Sequence, residues 1–125
     1  MKKMLLDFFF VGLAGALGAM LRLAVGRLFS SSAFPIGTLL INLTGSMFLG
    51  WFLTVIGERY IVSETVRLTI AVGFVGTYTT FSTYMYESDR MFQDGAAVRA
   101  TLYLIGSVVL GLVAVRTGII LGRRF

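Results

Sequence analysis

The chain contains neither cysteine nor histidine, a single proline and a single tryptophan in 125 residues, and only 14% charged residues. Without Cys and His it has no disulfides, no thiolate chemistry, few of the usual metal ligands and not the commonest general base, so the composition argues against an enzyme. Its carboxylates are also sparse. Asp7, Glu58, Glu64, Glu87, Asp89 and Asp94 all fall at the ends of apolar runs or in the joints between them, leaving no acid within a run. A proton-coupled exporter of cations normally needs an intramembrane carboxylate to exchange proton for substrate.

What the chain has instead is apolar length. With 57% hydrophobic residues and a mean hydropathy of +0.88 it reads as an integral membrane protein of one domain. The net charge of +5 comes from basic residues scattered at the ends of apolar runs, where they meet headgroups and water, so it points to a lipid bilayer and not to nucleic acid.

Four spans are expected, over about 4–25, 36–56, 68–86 and 98–121, each near the roughly 20 residues that a 30 Å hydrocarbon core requires. Lys2 and Lys3 precede the first, and the three further spans argue against a cleaved signal peptide. Small residues recur in it at Gly12, Gly15 and Gly18, and again at Gly118 and Gly122, which predicts close helix packing. Pro35 suits a helix start at Ile36. In the second span Thr38, Asn42 and Ser46 are spaced by four and share one helix face; Asn42 serves either as interhelical glue or as a ligand to something passing. Arg22 ends the first span either as a snorkelling interfacial side chain or with a partnered, structural or vestibule role.

The third span holds the unusual stretch, "GFVGTYTTFSTY" over 73–84. Its hydroxyls at Thr77, Tyr78, Thr79, Thr80, Ser82, Thr83 and Tyr84 have no purpose facing lipid, where an unpaired polar group costs several kcal/mol. Glycines and β-branched threonines predict a broken helix, with a first half ending near Gly76 and a second beginning near Thr79 or Thr80. Such a break frees carbonyls toward a cation and amides toward an anion. Phe81 and Tyr84 share a face of the second half, and Tyr103 and Ser107 continue a hydroxyl track in the fourth span. Donors without intramembrane bases describe a path for an anion, and aromatic ring edges, the positive end of the quadrupole, can line it.

Together, "GTLLINLTGS" over 37–46, "GFVGTYTTFSTY" and "GALGAMLR" over 15–22 resemble the signatures of the fluoride channel family, known as Fluc or CrcB. The resemblance covers all four spans. It implies an all-α fold of four transmembrane helices per subunit with a broken third helix, in an antiparallel, dual-topology homodimer with two fluoride pathways. It implies that Asn42 coordinates fluoride, that Phe81 and Tyr84 form the ring-edge path, and that Thr38, Ser82, Thr83, Tyr103 and Ser107 belong to the polar pathway. It also implies that Gly76 and Thr79 offer backbone carbonyls to a buried structural sodium ion that is not itself transported. Tyr84 departs from the family's usual phenylalanine by a hydroxyl, Gly111 stands where some relatives place a serine, and Thr77 and Tyr78 vary a Gly-rich stretch.

The expected activity is passive, fluoride-selective export through the cell membrane, lowering intracellular fluoride. Two other classes are a small four-span proton-coupled exporter of cationic compounds and a non-transporting assembly subunit. With the termini inside, Lys2, Lys3, Arg59, Arg67, Arg123 and Arg124 oppose Arg27, Arg90 and Arg99, a bias of six against three that weakens the antiparallel inference.

Overall fold

The computed structural model describes residues 1–31 and 33–124. Helix α1 (Lys2–Leu28) and helix α2 (Ile36–Glu58) are followed by α3 (Glu64–Leu68), which runs on through a π-helical segment (Thr69–Val75) into the short α4 (Gly76–Tyr78). Two extended residues separate α4 from α5 (Phe81–Gln93), and α6 (Ala97–Arg124) ends the chain. Among the described residues there are no strands. Three helices, α1, α2 and α6, are long and apolar enough to cross a membrane, at 27, 23 and 28 residues. At 1.5 Å per residue each exceeds the ~30 Å hydrocarbon core, so their charged ends reach the headgroups.

Small residues set the packing. In lipid, helices gain nothing by hiding apolar side chains from one another, so contact depends on how closely the backbones approach. A Cβ at Gly118 would overlap the Met47 carbonyl, one at Gly50 the Val115 carbonyl, and one at Gly122 would lie 3.0 Å from Trp51 O. These three glycines seat α6 on α2. The broken span packs on α1 in the same way: a Cβ at Gly73 would lie 2.8 Å from Val11 O, and one at Gly18 would strike Phe74 O and Thr77 Oγ1. Gly12, in contrast, faces open space, so only part of the predicted small-residue stripe on α1 is a contact.

The ends are tied by charge. Lys3 pairs with Glu64, and Arg123 Nε reaches Glu58 at 3.2 Å, pairs that at such exposure contribute little to stability but join α1 to α3 and α6 to α2.

Two sequence expectations are corrected here. The first half-helix does not end near Gly76 but continues to Tyr78, because Gly76 keeps right-handed helical angles and the Thr79 amide still closes on Val75 O at 3.0 Å. The joint that was to begin at Glu87 is helix: α5 carries Glu87, Asp89 and Arg90 and stops only at a tight turn. There Gly95 takes φ +74° and the Ala96 amide bonds back to Met91 O at 2.9 Å, a left-handed cap that a glycine adopts without steric cost. Hydropathy ended the span at the first charge, whereas the helix has no reason to end until its backbone finds a cap.

Candidate functional site

The break itself is two residues long. Thr79 (φ −78°, ψ 160°) and Thr80 (φ −150°, ψ 120°) are extended, and Thr80 caps α5 by accepting the Thr83 amide on its Oγ1 at 3.2 Å. The gap is clamped from α2. Asn42 Nδ2 donates to Thr80 O at 3.0 Å while Asn42 Oδ1 accepts the Thr80 amide at 2.8 Å, so one side chain satisfies both polar groups of an interrupted backbone. Asn is the residue for this because its amide offers a donor and an acceptor in one plane. One Nδ2 hydrogen remains, with no partner among the described residues.

The clamp releases carbonyls elsewhere. In an unbroken helix the Thr80 amide would close on Gly76 O and the Thr83 amide on Thr79 O, but these amides go to Asn42 and to Thr80 Oγ1 instead. Thr79 O receives only Arg22 Nη1, at 3.4 Å. Two backbone oxygens, of Gly76 and Thr79, are thus without their helical partners; carbonyl oxygens are ligands of the kind a hard cation takes, but they are two of the roughly six such an ion needs, and the Arg22 guanidinium on Thr79 O would have to give way to it.

Two cavities meet at this clamp. The larger, of about 670 Å³, is lined by Arg22, Arg27, Arg90 and Arg99 together with Thr38 and Glu87. The smaller, about 250 Å³, is lined by Asn42, Ser46, Thr79 and Phe81. Thr80 lines both and so stands between them, held from the side of the smaller cavity by Asn42. The predicted α2 stripe thus runs from one cavity to the other: Thr38 sits in the first, Asn42 and Ser46 in the second.

Beyond the clamp, side chains of α5 and α6 form a layered cluster. Phe81 is 73% exposed and meets Tyr84 edge to face at 6.0 Å between centroids; Tyr84 meets Tyr103 the same way at 5.1 Å. Tyr103 and Tyr84 are buried. Thr80 Oγ1 bonds Thr83 Oγ1 at 3.0 Å, and Ser82 Oγ lies 3.4 Å from Thr80 Oγ1. Ser107 Oγ is buried with no hydrogen-bond partner.

Sequence reasoning missed Glu87. Assigned to a solvated joint, it instead reaches back into the bundle, accepting from Thr38 Oγ1 at 2.7 Å and from Tyr103 OH at 2.9 Å. It is one helical turn beyond Thr83, and a periodicity reading that allowed α5 to continue past the first charge would have placed it on the Thr83 and Tyr84 side. The absence of a carboxylate from the polar interior is therefore corrected: one half-buried acid stands at the wall of the larger cavity, engaged by two donors.

The profile of the CrcB-like protein, Camphor Resistance (CrcB) family matches residues 9–119. The chain belongs to the CrcB family. A relative from Acidobacterium capsulatum, a fluoride-specific ion channel FluC, is 43% identical over 124 residues, covering 95% of this chain and 98% of its own length. One from Chloroflexus aurantiacus with the same name is 43% identical over 118 residues, covering 92% and 94%. A third, fluoride-specific ion channel FluC 2 of Clostridium acetobutylicum, is 35% identical over 116 residues, covering 90% and 95%. The CrcB match takes in the break, its α2 clamp and the α5–α6 cluster together, so it spans every part of the site described above.

Proposed function

We propose that this CrcB-family protein is a fluoride-selective channel that lets the ion leave the cytoplasm passively. The observation that carries the reading is the 43% identity to a fluoride-specific channel along nearly the whole chain. The site's geometry supports it. An arginine-lined cavity concentrates anions at one side of Thr80. Beyond it, on the smaller cavity, lie the spare Asn42 N–H and the exposed ring of Phe81, a donor and a ring edge with few competing partners. Most other hydroxyls of the region are already bonded within the chain, so Thr38, Thr83, Tyr84 and Tyr103 shape the path as much as they line it.

Selectivity follows from replacing a tightly held hydration shell by fixed donors in a narrow passage. No pump is required. Hydrogen fluoride enters neutral, ionises in a near-neutral cytoplasm, and an inside-negative potential contributes roughly 2.3 kcal/mol per 100 mV toward expelling the anion.

The assembly belongs to the same proposal. The interrupted helix gives each subunit a fourth crossing, and two subunits insert antiparallel in the cell membrane to enclose two pathways. The Gly76 and Thr79 carbonyls, left without their helical amides, would hold a structural sodium ion together with further oxygens from the second subunit, and the ion would supply fixed positive charge at the break. The test is fluoride efflux from liposomes containing the purified protein, read by a fluoride electrode with chloride as control. Fluoride efflux well above chloride is expected; equal or absent fluxes would overturn the reading.

A further inference from the structure

Gly45 lines the smaller cavity with Asn42, Thr79, Thr80 and Phe81, and it is buried. A Cβ there would overlap Thr79 Cγ2, while it would meet the Tyr78 ring only at 3.3 and 3.6 Å. The methyl of Thr79 therefore occupies the space that a side chain at position 45 would take. Bare backbone on α2 and a branched side chain at the break set how closely the two approach.

Thr79 is held where it stands. Its amide and its hydroxyl both end on Val75 O, at 3.0 and 2.9 Å, so turning the side chain to move the methyl would break the hydroxyl's bond. The neighbours on both sides are tied to α2. Thr44 Oγ1 donates within its own helix, to Leu40 O at 2.7 Å, which makes Tyr78 OH the donor in the 2.9 Å bond between Tyr78 and Thr44. On the other side Asn42 holds the Thr80 N–H and C=O at 2.8 and 3.0 Å. Tyr78, Thr79 and Thr80 thus meet α2 one after another, the outer two by hydrogen bonds and the middle one by contact alone.

We infer that Gly45 and Thr79 are a positioning pair: the missing Cβ against the Thr79 methyl fixes the depth at which the break seats on α2, and with it the reach of Asn42 to Thr80 and the place of its spare N–H on the cavity that Phe81 shares. The inference rests on the proposed fluoride pathway and names what holds its donor in place. The margin is small. Carbon atoms settle about 3.5–4.0 Å apart, so a methyl at position 45 would drive the Thr79 methyl back by ~1 Å and carry Thr80 with it. Bonds of 2.8 and 3.0 Å lengthened by that much fall outside hydrogen-bonding range, which ends near ~3.2 Å. Asn42 would then lose both of its anchors.

The test is a double-mutant cycle of Gly45→Ala, Thr79→Ser and the two together, since serine keeps the hydroxyl for Val75 O and drops only the methyl. Two rates are read for each protein: fluoride efflux from proteoliposomes, and hydrogen exchange at the Thr80 amide in detergent. Gly45→Ala alone should slow efflux roughly tenfold or more and speed Thr80 exchange by a similar factor, the loss of at least one hydrogen bond. In the Thr79→Ser background the same alanine should change either rate by less than about twofold, whatever the rate of Thr79→Ser itself. If Gly45→Ala does not elute as the unaltered chain does on size exclusion, the doubly substituted chain should elute normally, and its failure to do so would overturn the inference. Undiminished efflux in Gly45→Ala would overturn it too, as would an equal loss in both backgrounds, which places the clash elsewhere, or slowed efflux with Thr80 exchange unchanged. Should Thr79→Ser pass no fluoride, Thr80 exchange alone completes the cycle. No fluoride efflux from the unaltered chain would instead overturn the functional reading, and the exchange rates would still decide whether this contact seats Asn42.

Discussion

Asn42 and Phe81 sit on the same small cavity yet answer to different forces. Asn42 closes a gap in the backbone through two hydrogen bonds, so its replacement carries a structural as well as a functional cost. In Asn42→Asp the carboxylate can still accept the Thr80 amide but sets a negative oxygen against Thr80 O and against any anion in the passage. Fluoride efflux should fall to the level of empty liposomes, and thermal stability in detergent should drop by about 1–3 kcal/mol for the unpaired carbonyl. Phe81 is 73% exposed in the single chain, so Phe81→Ile should leave the melting temperature of the subunit unchanged. It should nonetheless abolish efflux, because an aliphatic side chain has no positive ring edge to present. Measured together, melting and efflux separate a residue that holds the site from one whose part is in the flux alone. Tyr84→Phe looks conservative from the sequence, since the ring edge is kept; the bond to Leu104 O makes it a costly exchange instead.

At the level of elements, two devices hold the site, the cap at the break and the glycine contacts beneath it. Thr80→Ala removes the Oγ1 that accepts the Thr83 amide and donates to the Thr83 hydroxyl oxygen. A lost N-cap costs ~1 kcal/mol, so α5 should fray at its first turn, seen as faster amide exchange at Ser82 and Thr83 than at Met91. The π-helical segment Thr69–Val75 brings Gly73 against α1, and Thr77 Oγ1 reaches Gly15 O at 2.9 Å, so the half before the break is held by α1 while the half after it is held by α2 and α6. Gly118→Val in α6 meets the Met47 carbonyl, part of a backbone with nowhere to move. Overpacking of this kind costs typically 1–3 kcal/mol, and the variant should show a lowered melting temperature with the α2–α6 pair displaced.

The whole molecule is a basic membrane protein with its arginines gathered round one large cavity and its second cavity open beside Phe81. A passive anion path has a signature that a proton-coupled exporter lacks. A potassium diffusion potential of 100 mV, inside negative, should shift the fluoride distribution at equilibrium by about fiftyfold, the equivalent of 2.3 kcal/mol. A pH gradient imposed at fixed potential should move fluoride no faster through the protein than through empty liposomes, where only neutral hydrogen fluoride crosses. Because the chain has no cysteine, a single Gln93→Cys in the exposed end of α5 provides a topology probe. Antiparallel insertion predicts that an impermeant thiol reagent labels about half of it from outside intact cells, where one orientation would give all or none.

Composition and pattern alone determined that this chain lives in a bilayer, that its third hydrophobic stretch breaks among threonines, and that Thr38, Asn42 and Ser46 share one face of their helix. These follow from local physics: hydropathy, helix propensity and the four-residue spacing of a helix face. Tertiary structure alone decided what each polar group bonds to, because partners such as Asn42 and Thr80, or Tyr84 and Leu104, lie 38 and 20 residues apart along the chain and no local rule pairs them. It also decided that Glu87 turns inward, since the hydroxyls that hold it, Thr38 and Tyr103, lie 49 and 16 residues away.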